Sequence, residues 1–190
     1  MLMESSYEIV KNLIPSRTCE QILEGVNLFQ QRDWLNYSDN IVKKAYAAYA
    51  NPMTEVLLQN LCPTIENIVG HPLYPTFSYL RVYLKGADLK KHVDRESCEI
   101  SVTLTIQTGG AHIWPVFLDV SGRIVRVELE PGDGLIYKGC EIPHWRDTFG
   151  GERQVQIFLH YVRQNGPYSE YKFDRRARLA IPALWEFAGD

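Results

Sequence analysis

Beyond residue 75 the chain alternates. Ile100, Val102, Leu104 and Ile106 are apolar, and Ser101, Thr103, Thr105 and Gln107 between them are polar, the period-two signature of a strand with one buried face. Over 154–162, Val155, Ile157, Leu159 and Tyr161 alternate with Gln156, Phe158 and His160. Further strands are predicted over 77–84, over 124–129 after a Ser121-Gly122 turn, and over 135–137 after Pro131-Gly132-Asp133-Gly134. The stretch 111–119 also reads as a strand, and Pro115 places its middle at an edge or bulge. Many short strands with frequent turns argue a sandwich or closed jelly roll.

Before residue 75 the spacing differs. Tyr7, Ile9 and Val10 suggest an opening strand within 7–13, stopped by Pro15. Cys19, Ile22, Leu23, Val26 and Phe29 recur at helical steps, and Thr18 with Gln21 resembles a capping box. A second helix is predicted from about Asn40 to Ala50, with Ile41, Val42, Ala45, Ala48 and Tyr49 on its face. A third opens at Pro52 and runs to about Val69 through Met53, Val56, Leu57, Leu61, Ile65 and Ile68. His71, between Gly70 and Pro72, reads as a turn residue. The expected class is α+β, one domain over 1–190: a helical part to about 74 that buttresses a jelly roll over about 75–165, then a C-terminal tail.

Composition sharpens this picture in a few places. A hydrophobic fraction of 45% and an aromatic fraction of 12% belong to a packed globular chain. A net charge of −3 gives no reason to expect nucleic acid or an anionic membrane as partner. The basic spots Lys90-Lys91 and Arg175-Arg176-Ala177-Arg178 read as solvated faces, with substrate or surface features the alternative. No apolar run approaches the ~20 residues of a membrane span. The opening Met1-Leu2-Met3-Glu4-Ser5-Ser6 lacks the basic and apolar regions of a secretion signal, so the expected location is cytoplasmic. The 4 cysteines (Cys19, Cys62, Cys98, Cys140) form no CxxC pair and are expected as reduced thiols.

The chemistry concentrates at His92-Val93-Asp94 and His144. In extended chain, residues i and i+2 point to the same side, so His92 and Asp94 can reach one ion. His144 follows Asp94 by 144 − 94 = 50 residues, after an apolar strand and Pro143. Two imidazoles and one carboxylate on one face of iron(II) leave its other positions open, the arrangement that dioxygen activation uses. A surface histidine beside a carboxylate is the plain alternative. His112 and His160 are other possible ligands, although neither has a carboxylate two residues away.

Four further pieces carry a family resemblance. Tyr83-Leu84-Lys85-Gly86 followed by His92-Val93-Asp94 resembles the Y-x-x-G…H-x-D segment of prolyl-4-hydroxylase-like 2-oxoglutarate/Fe(II) oxygenases. The run from Gly109-Gly110 to Trp114-Pro115 is similar to their G-G-x-x-x-x-P hairpin. Pro131 to Tyr137 resembles the P-x-x-G strand, and Gly151-Glu152-Arg153 the G-x-R/K that follows the distal histidine, here at 153 − 144 = 9. The resemblance covers roughly 75–162 and implies a double-stranded β-helix of cupin-like form. It implies iron(II) held by His92, Asp94 and His144, with 2-oxoglutarate and dioxygen as cosubstrates and ascorbate as an auxiliary reductant. The reaction it implies is hydroxylation of a C–H bond with release of succinate and CO2.

On the same resemblance Arg153 anchors the far carboxylate of 2-oxoglutarate and Tyr83 adds a hydroxyl; the alternatives are a strand-end arginine and a packing tyrosine. Glu99 and Ile106 stand where many members have arginine and tyrosine, and Val155 where they have serine or threonine. Arg95, Trp114 and Trp145 are placed near the mouth as substrate contacts, with simple core cover the alternative for both tryptophans. The expected substrate is a small molecule, an amino acid or a peptide, and the oligomeric state is left open. Two rivals stand beside this reading: a cupin-like metal dioxygenase without 2-oxoglutarate, and a non-catalytic jelly-roll binding module. The tail over 168–190 is expected to cover the site or an interface.

Overall fold

A computed structural model describes residues 6–39, 41–110 and 113–180. The strands are β1 (Tyr7–Val10), β2 (Asn36–Tyr37), β3 (Ala45–Tyr49), β4 (Leu73–Leu84), β5 (Leu89–His92), β6 (Ile100–Gln107), β7 (Val116–Val120), β8 (Arg123–Val127), β9 (Gly134–Tyr137), β10 (His144–Arg146) and β11 (Arg153–Arg163). Two helices, α1 (Ser16–Gln31) and α2 (Pro52–Val69), lie in the first third. The strands form a seven-stranded sheet, β1-β9-β6-β11-β4-β3-β2, and a four-stranded sheet, β5-β10-β7-β8. All the recorded pairings are antiparallel. This is the double-stranded β-helix.

The alternation in the sequence sets which face each strand buries. Ile100, Val102, Leu104 and Ile106 of β6 and Val155, Ile157 and Leu159 of β11 join Leu80 and Val82 of β4 in one core with Val26, Leu58 and Ile65 of the helices. The opposite face of the same sheet points into the roll and is polar: Ser101, Thr103, Thr105, Gln154, Gln156 and His160 are all buried there. Buried polar groups are costly unless bonded. Gln156 accordingly donates to Thr105 Oγ1 at 2.9 Å. Inside the roll the apolar packing divides into a group around Tyr83, Trp114 and Phe149 and a group around Leu118, Leu135 and Tyr137.

Several local expectations change. Residues 41–50 are not helical: 45–49 form β3, in register with β4 through Ala45↔Tyr83 and Tyr49↔Tyr79, and Asn40 lies outside the described residues. Ala45 and Ala47 are the buried positions of β3, a period of two that the alanine-rich run hides within an apparent helix period. The helix α1 starts after Pro15 with no side-chain cap, so the Thr18–Gln21 box does not form. Pro52 does open α2, Asn51 Oδ1 accepts from Met53 N at 3.0 Å, and Gly70 closes it at φ 79°. The strand expected over 111–119 begins only at Val116, after Pro115, and lies between β10 and β8 without a bulge; Ala111 and His112 lie outside the described residues, as does the tail beyond 180. No helix among the described residues is long and apolar enough to cross a membrane.

Candidate functional site

The mouth of the roll is built where β5 and β10 pair. His92 ends β5 and His144 opens β10, and the two are direct cross-strand partners. Their rings therefore lie 4.4 Å apart. Asp94 follows in the loop, pinned by its own N–H donating to the Gly139 carbonyl at 2.9 Å. Nε2 of His92 and Nε2 of His144 each lie 3.6 Å from the same atom, Asp94 Oδ1. Donors at right angles around an ion, each about 2.1 Å away, stand roughly 3 Å apart. The triangle of these three atoms is thus close to the size that holds a first-row divalent metal.

The far side of each group is tied. His92 Nδ1 donates to the Lys90 carbonyl at 2.8 Å and His144 Nδ1 to the Ile142 carbonyl at 2.9 Å. A carbonyl only accepts, so both protons sit on Nδ1 and both Nε2 lone pairs face the centre. Asp94 Oδ2 accepts from Ser101 Oγ at 2.8 Å, leaving Oδ1 turned to the two histidine Nε2 atoms. Burial alone would raise the Asp94 pKa, but the His92 contact, the nearby His144 and His160 rings and the Ser101 hydroxyl hold it at about 2. The Asp94 contact raises His92 above its ordinary value, while burial lowers His144.

Behind this centre is a cavity of about 460 Å3. Its walls include Tyr49, Phe77, Leu89 and Phe158, with Arg81, His160 and Asp39 as polar members. Arg81 is 5% exposed. Its Nη2 donates to Asp39 Oδ2, while its Nε is buried without a partner among the described residues. The Tyr83 ring lies 5.7 Å from the Arg81 guanidinium, and its buried hydroxyl also lacks a partner. At the rim, Arg95 makes a bidentate pair with Asp174, at 2.7 Å on both oxygens.

Other expected site residues fall elsewhere. Arg153 is turned to the helix side, where Nη2 donates to Asn27 Oδ1 and Gln30 Oε1 of α1 at 2.9 Å each. The cause is strand parity: Val155, Ile157 and Leu159 pack on the helices, and Arg153 shares their side. It does not line the cavity. Trp114 packs between Tyr83 and Phe149 and donates Nε1–H to the Asp147 carbonyl at 2.9 Å. Trp145 stacks on Phe117 at 5.4 Å with Lys91 above it. Both tryptophans cover packing and neither lines the cavity. His160 lines it without joining the His92–Asp94–His144 triangle, and it forms a second cluster with Asp94 and Cys98. His112 lies outside the described residues.

Sequence reading passed over Arg81, although its parity with Leu80 and Val82, both packed on the helices, places it inward. It also passed over Ser101 as the support for Asp94.

No protein-family model and no curated protein matches the chain. Solved structures do. A prolyl-4-hydroxylase from Pseudomonas putida superposes with a TM-score of 0.70 at 15% identity, over 85% of this chain and 95% of that one. A Trichoplax adhaerens prolyl hydroxylase, solved with a peptide of the hypoxia-inducible factor oxygen degradation domain, gives 0.70 at 14% identity over 86% of both chains. HygX from Streptomyces hygroscopicus, solved with nickel and 2-oxoglutarate, gives 0.61 at 12% identity over 84% of both. What this chain shares with these oxygenases is the double-stranded β-helix.

Proposed function

We propose that the chain is a non-haem Fe(II)- and 2-oxoglutarate-dependent dioxygenase that hydroxylates a C–H bond of an amino acid, a peptide or a small molecule. The observation that carries this reading is the convergence of His92 Nε2, His144 Nε2 and Asp94 Oδ1, each oriented by a bond on its far side. Two neutral nitrogens and one carboxylate oxygen suit iron(II) and leave its remaining positions toward the cavity. Structures of the same fold hold nickel with 2-oxoglutarate in HygX and a peptide in the Trichoplax enzyme, which supports the cosubstrate and the substrate range.

The cosubstrate needs a fixed cation, and Arg81 takes the role first given to Arg153. Its guanidinium is buried in the cavity wall with one N–H unused, beside a Tyr83 hydroxyl that is also unused. Both of those atoms are sealed from the cavity, so a bound carboxylate would pair with the part of the Arg81 guanidinium that lines it. When bound, iron(II) with 2-oxoglutarate and dioxygen supplies the oxidising power to break an unactivated C–H bond. The chain's own part is to hold the three metal donors, to keep Asp94 ionised, to fix the far carboxylate with Arg81, behind which Tyr83 packs, and to exclude water with Phe77, Phe158 and Tyr49.

Anaerobic addition of iron(II) and then 2-oxoglutarate to the metal-free chain tests the reading. The weak visible charge-transfer band of a chelated 2-oxo acid is expected in the parent and absent in His92→Ala. Iron binding without the band would favour the cupin-like rival, and no iron binding would remove the enzyme reading.

A further inference from the structure

We infer that His160 contacts the substrate: the lone pair of its Nε2 accepts a hydrogen bond from an N–H or O–H of the molecule held in the cavity. The inference rests on the oxygenase reading only in calling that molecule the substrate.

The argument starts at Ser101. Its hydroxyl has one proton to donate and stands 2.8 Å from Asp94 Oδ2, 3.0 Å from His160 Nδ1 and 3.3 Å from the Cys98 carbonyl. An ionised carboxylate only accepts, and its bonds are the strongest of the three. The Ser101 proton therefore goes to Asp94, and the Ser101 oxygen must receive a proton from His160 Nδ1. A neutral imidazole with its proton on Nδ1 presents a bare Nε2. That atom has no hydrogen bond among the described residues and is not one of the sealed, unpartnered atoms, and the ring lines the cavity.

The surroundings say what such an acceptor selects. Phe77 lies against the His160 ring at 4.5 Å, and Tyr49, Phe158 and Leu89 make up the nearby apolar wall. A single acceptor in an aromatic wall fits a ligand, or a side chain of one, with an apolar body and one hydroxyl or N–H. A molecule lacking that donor leaves the acceptor desolvated and unpaired, which is how polar sites reject analogues. Asp94 is common to both arrangements, Oδ1 facing the metal triangle and Oδ2 the Ser101–His160 chain. The donor of the bound molecule is thereby held one side chain away from the metal position.

The test has two stages on the full chain, with zinc(II) in place of iron and again metal-free. Long-range proton–nitrogen NMR correlations report which His160 nitrogen carries the proton. Nδ1 protonated and Nε2 bare is expected; a proton on Nε2 overturns the inference. Cyclohexanol and methoxycyclohexane then serve as probes, since they share a ring body and differ in the donor. Cyclohexanol is expected to shift the Nε2 resonance and to bind about tenfold tighter than the ether, one good hydrogen bond's worth, and His160→Phe should bind the two alike. Equal binding in the parent, no binding of either probe, or a preference kept in His160→Phe each overturn it. If zinc fails to bind while the tautomer and the alcohol preference hold, the metal reading falls and the His160 contact stands.

Discussion

Arg81 and Arg153 carry the same guanidinium on neighbouring strands, and side-chain parity separates their chemistry. Arg81 is opposite Gln156 and faces the cavity, whereas Arg153 is opposite Leu84 and binds Asn27 and Gln30. Replacing Arg81 with Met should keep iron and weaken 2-oxoglutarate by about 1.5–3 kcal/mol, the worth of a hydrogen bond to a charged group. Arg153→Ala should leave cosubstrate affinity unchanged. Titration of the charge-transfer band reads both; the reverse pattern would restore Arg153 as the anchor. At the three proposed metal donors the pKa directions differ. Asp94 is ionised well below neutrality and burial lowers His144, but the Asp94 contact lifts His92 above its ordinary 6.5. His92 therefore keeps its second proton to higher pH than His144, and metal affinity should fall as the pH drops through its raised pKa. Zinc calorimetry at pH ~6.5 in buffers of different ionisation enthalpy should find at least about half a proton released per ion, most of it from His92. A value near two would mean that His144 also binds protonated.

The loop joining β9 to β10 shows the same economy of space at the level of elements. A Cβ on Gly139 would meet Ser101 Oγ at 2.3 Å, the Cys98 carbonyl at 2.4 Å and Asp94 Oδ2 at 2.6 Å. Two of these are backbone or a bonded hydroxyl, so they cannot yield cheaply. Gly139→Ala should displace Asp94 and reduce zinc affinity by at least about tenfold, with β-rich circular dichroism retained, since the clash falls on the donor set. An unchanged zinc titration would show that the loop gives way without moving Asp94. The strands β6 and β11 were legible because each alternates cleanly between a helix-packed and an inward face. The meeting of His92, Asp94 and His144 was legible because two of them come from one His-x-Asp triplet. Strand β3 was not, since Ala45, Ala47 and Ala48 satisfy helix and strand periods alike and its pairing with β4 is a long-range choice. Arg153 lies on the helix side, which the alternation of Val155, Ile157 and Leu159 already assigns, whereas motif spacing alone points to the cavity. Parity turns Arg81 inward, but its pairing with Asp39, like that of Ser101 with Asp94, is a tertiary contact that no local pattern encodes.

Across the whole molecule, the C-terminal segment ties the helical layer to the cavity rim. Arg176 reaches between α2 and β4: its guanidinium pairs with Glu55, which is 1% exposed, and Nη2 donates to the Thr76 carbonyl at 3.0 Å. Two residues earlier, Asp174 holds Arg95 and the Tyr49 hydroxyl. Between these anchors the backbone is held in the left-handed region at Phe173 (φ 55°), Asp174 (φ 55°) and Arg175 (φ 61°). Non-glycine residues adopt that region at a cost of roughly 1–2 kcal/mol each, so the segment persists there only while its contacts over-determine it. Removing Glu55 withdraws the carboxylate from a buried guanidinium, a change that costs on the order of 3–5 kcal/mol. Glu55→Ala should therefore lower global stability in urea and also release the strained segment, with amides over 169–176 exchanging fast while those of β6 and β11 stay protected. Asp174→Asn removes the charge opposite Arg95 but leaves the Glu55–Arg176 pair, so it should loosen the rim with a smaller loss of global stability. Hydrogen-exchange mass spectrometry on both variants separates the two anchors: if Glu55→Ala keeps the protection of 169–176, Asp174 alone holds the segment over the cavity, and the buried ion pair serves the core rather than the site.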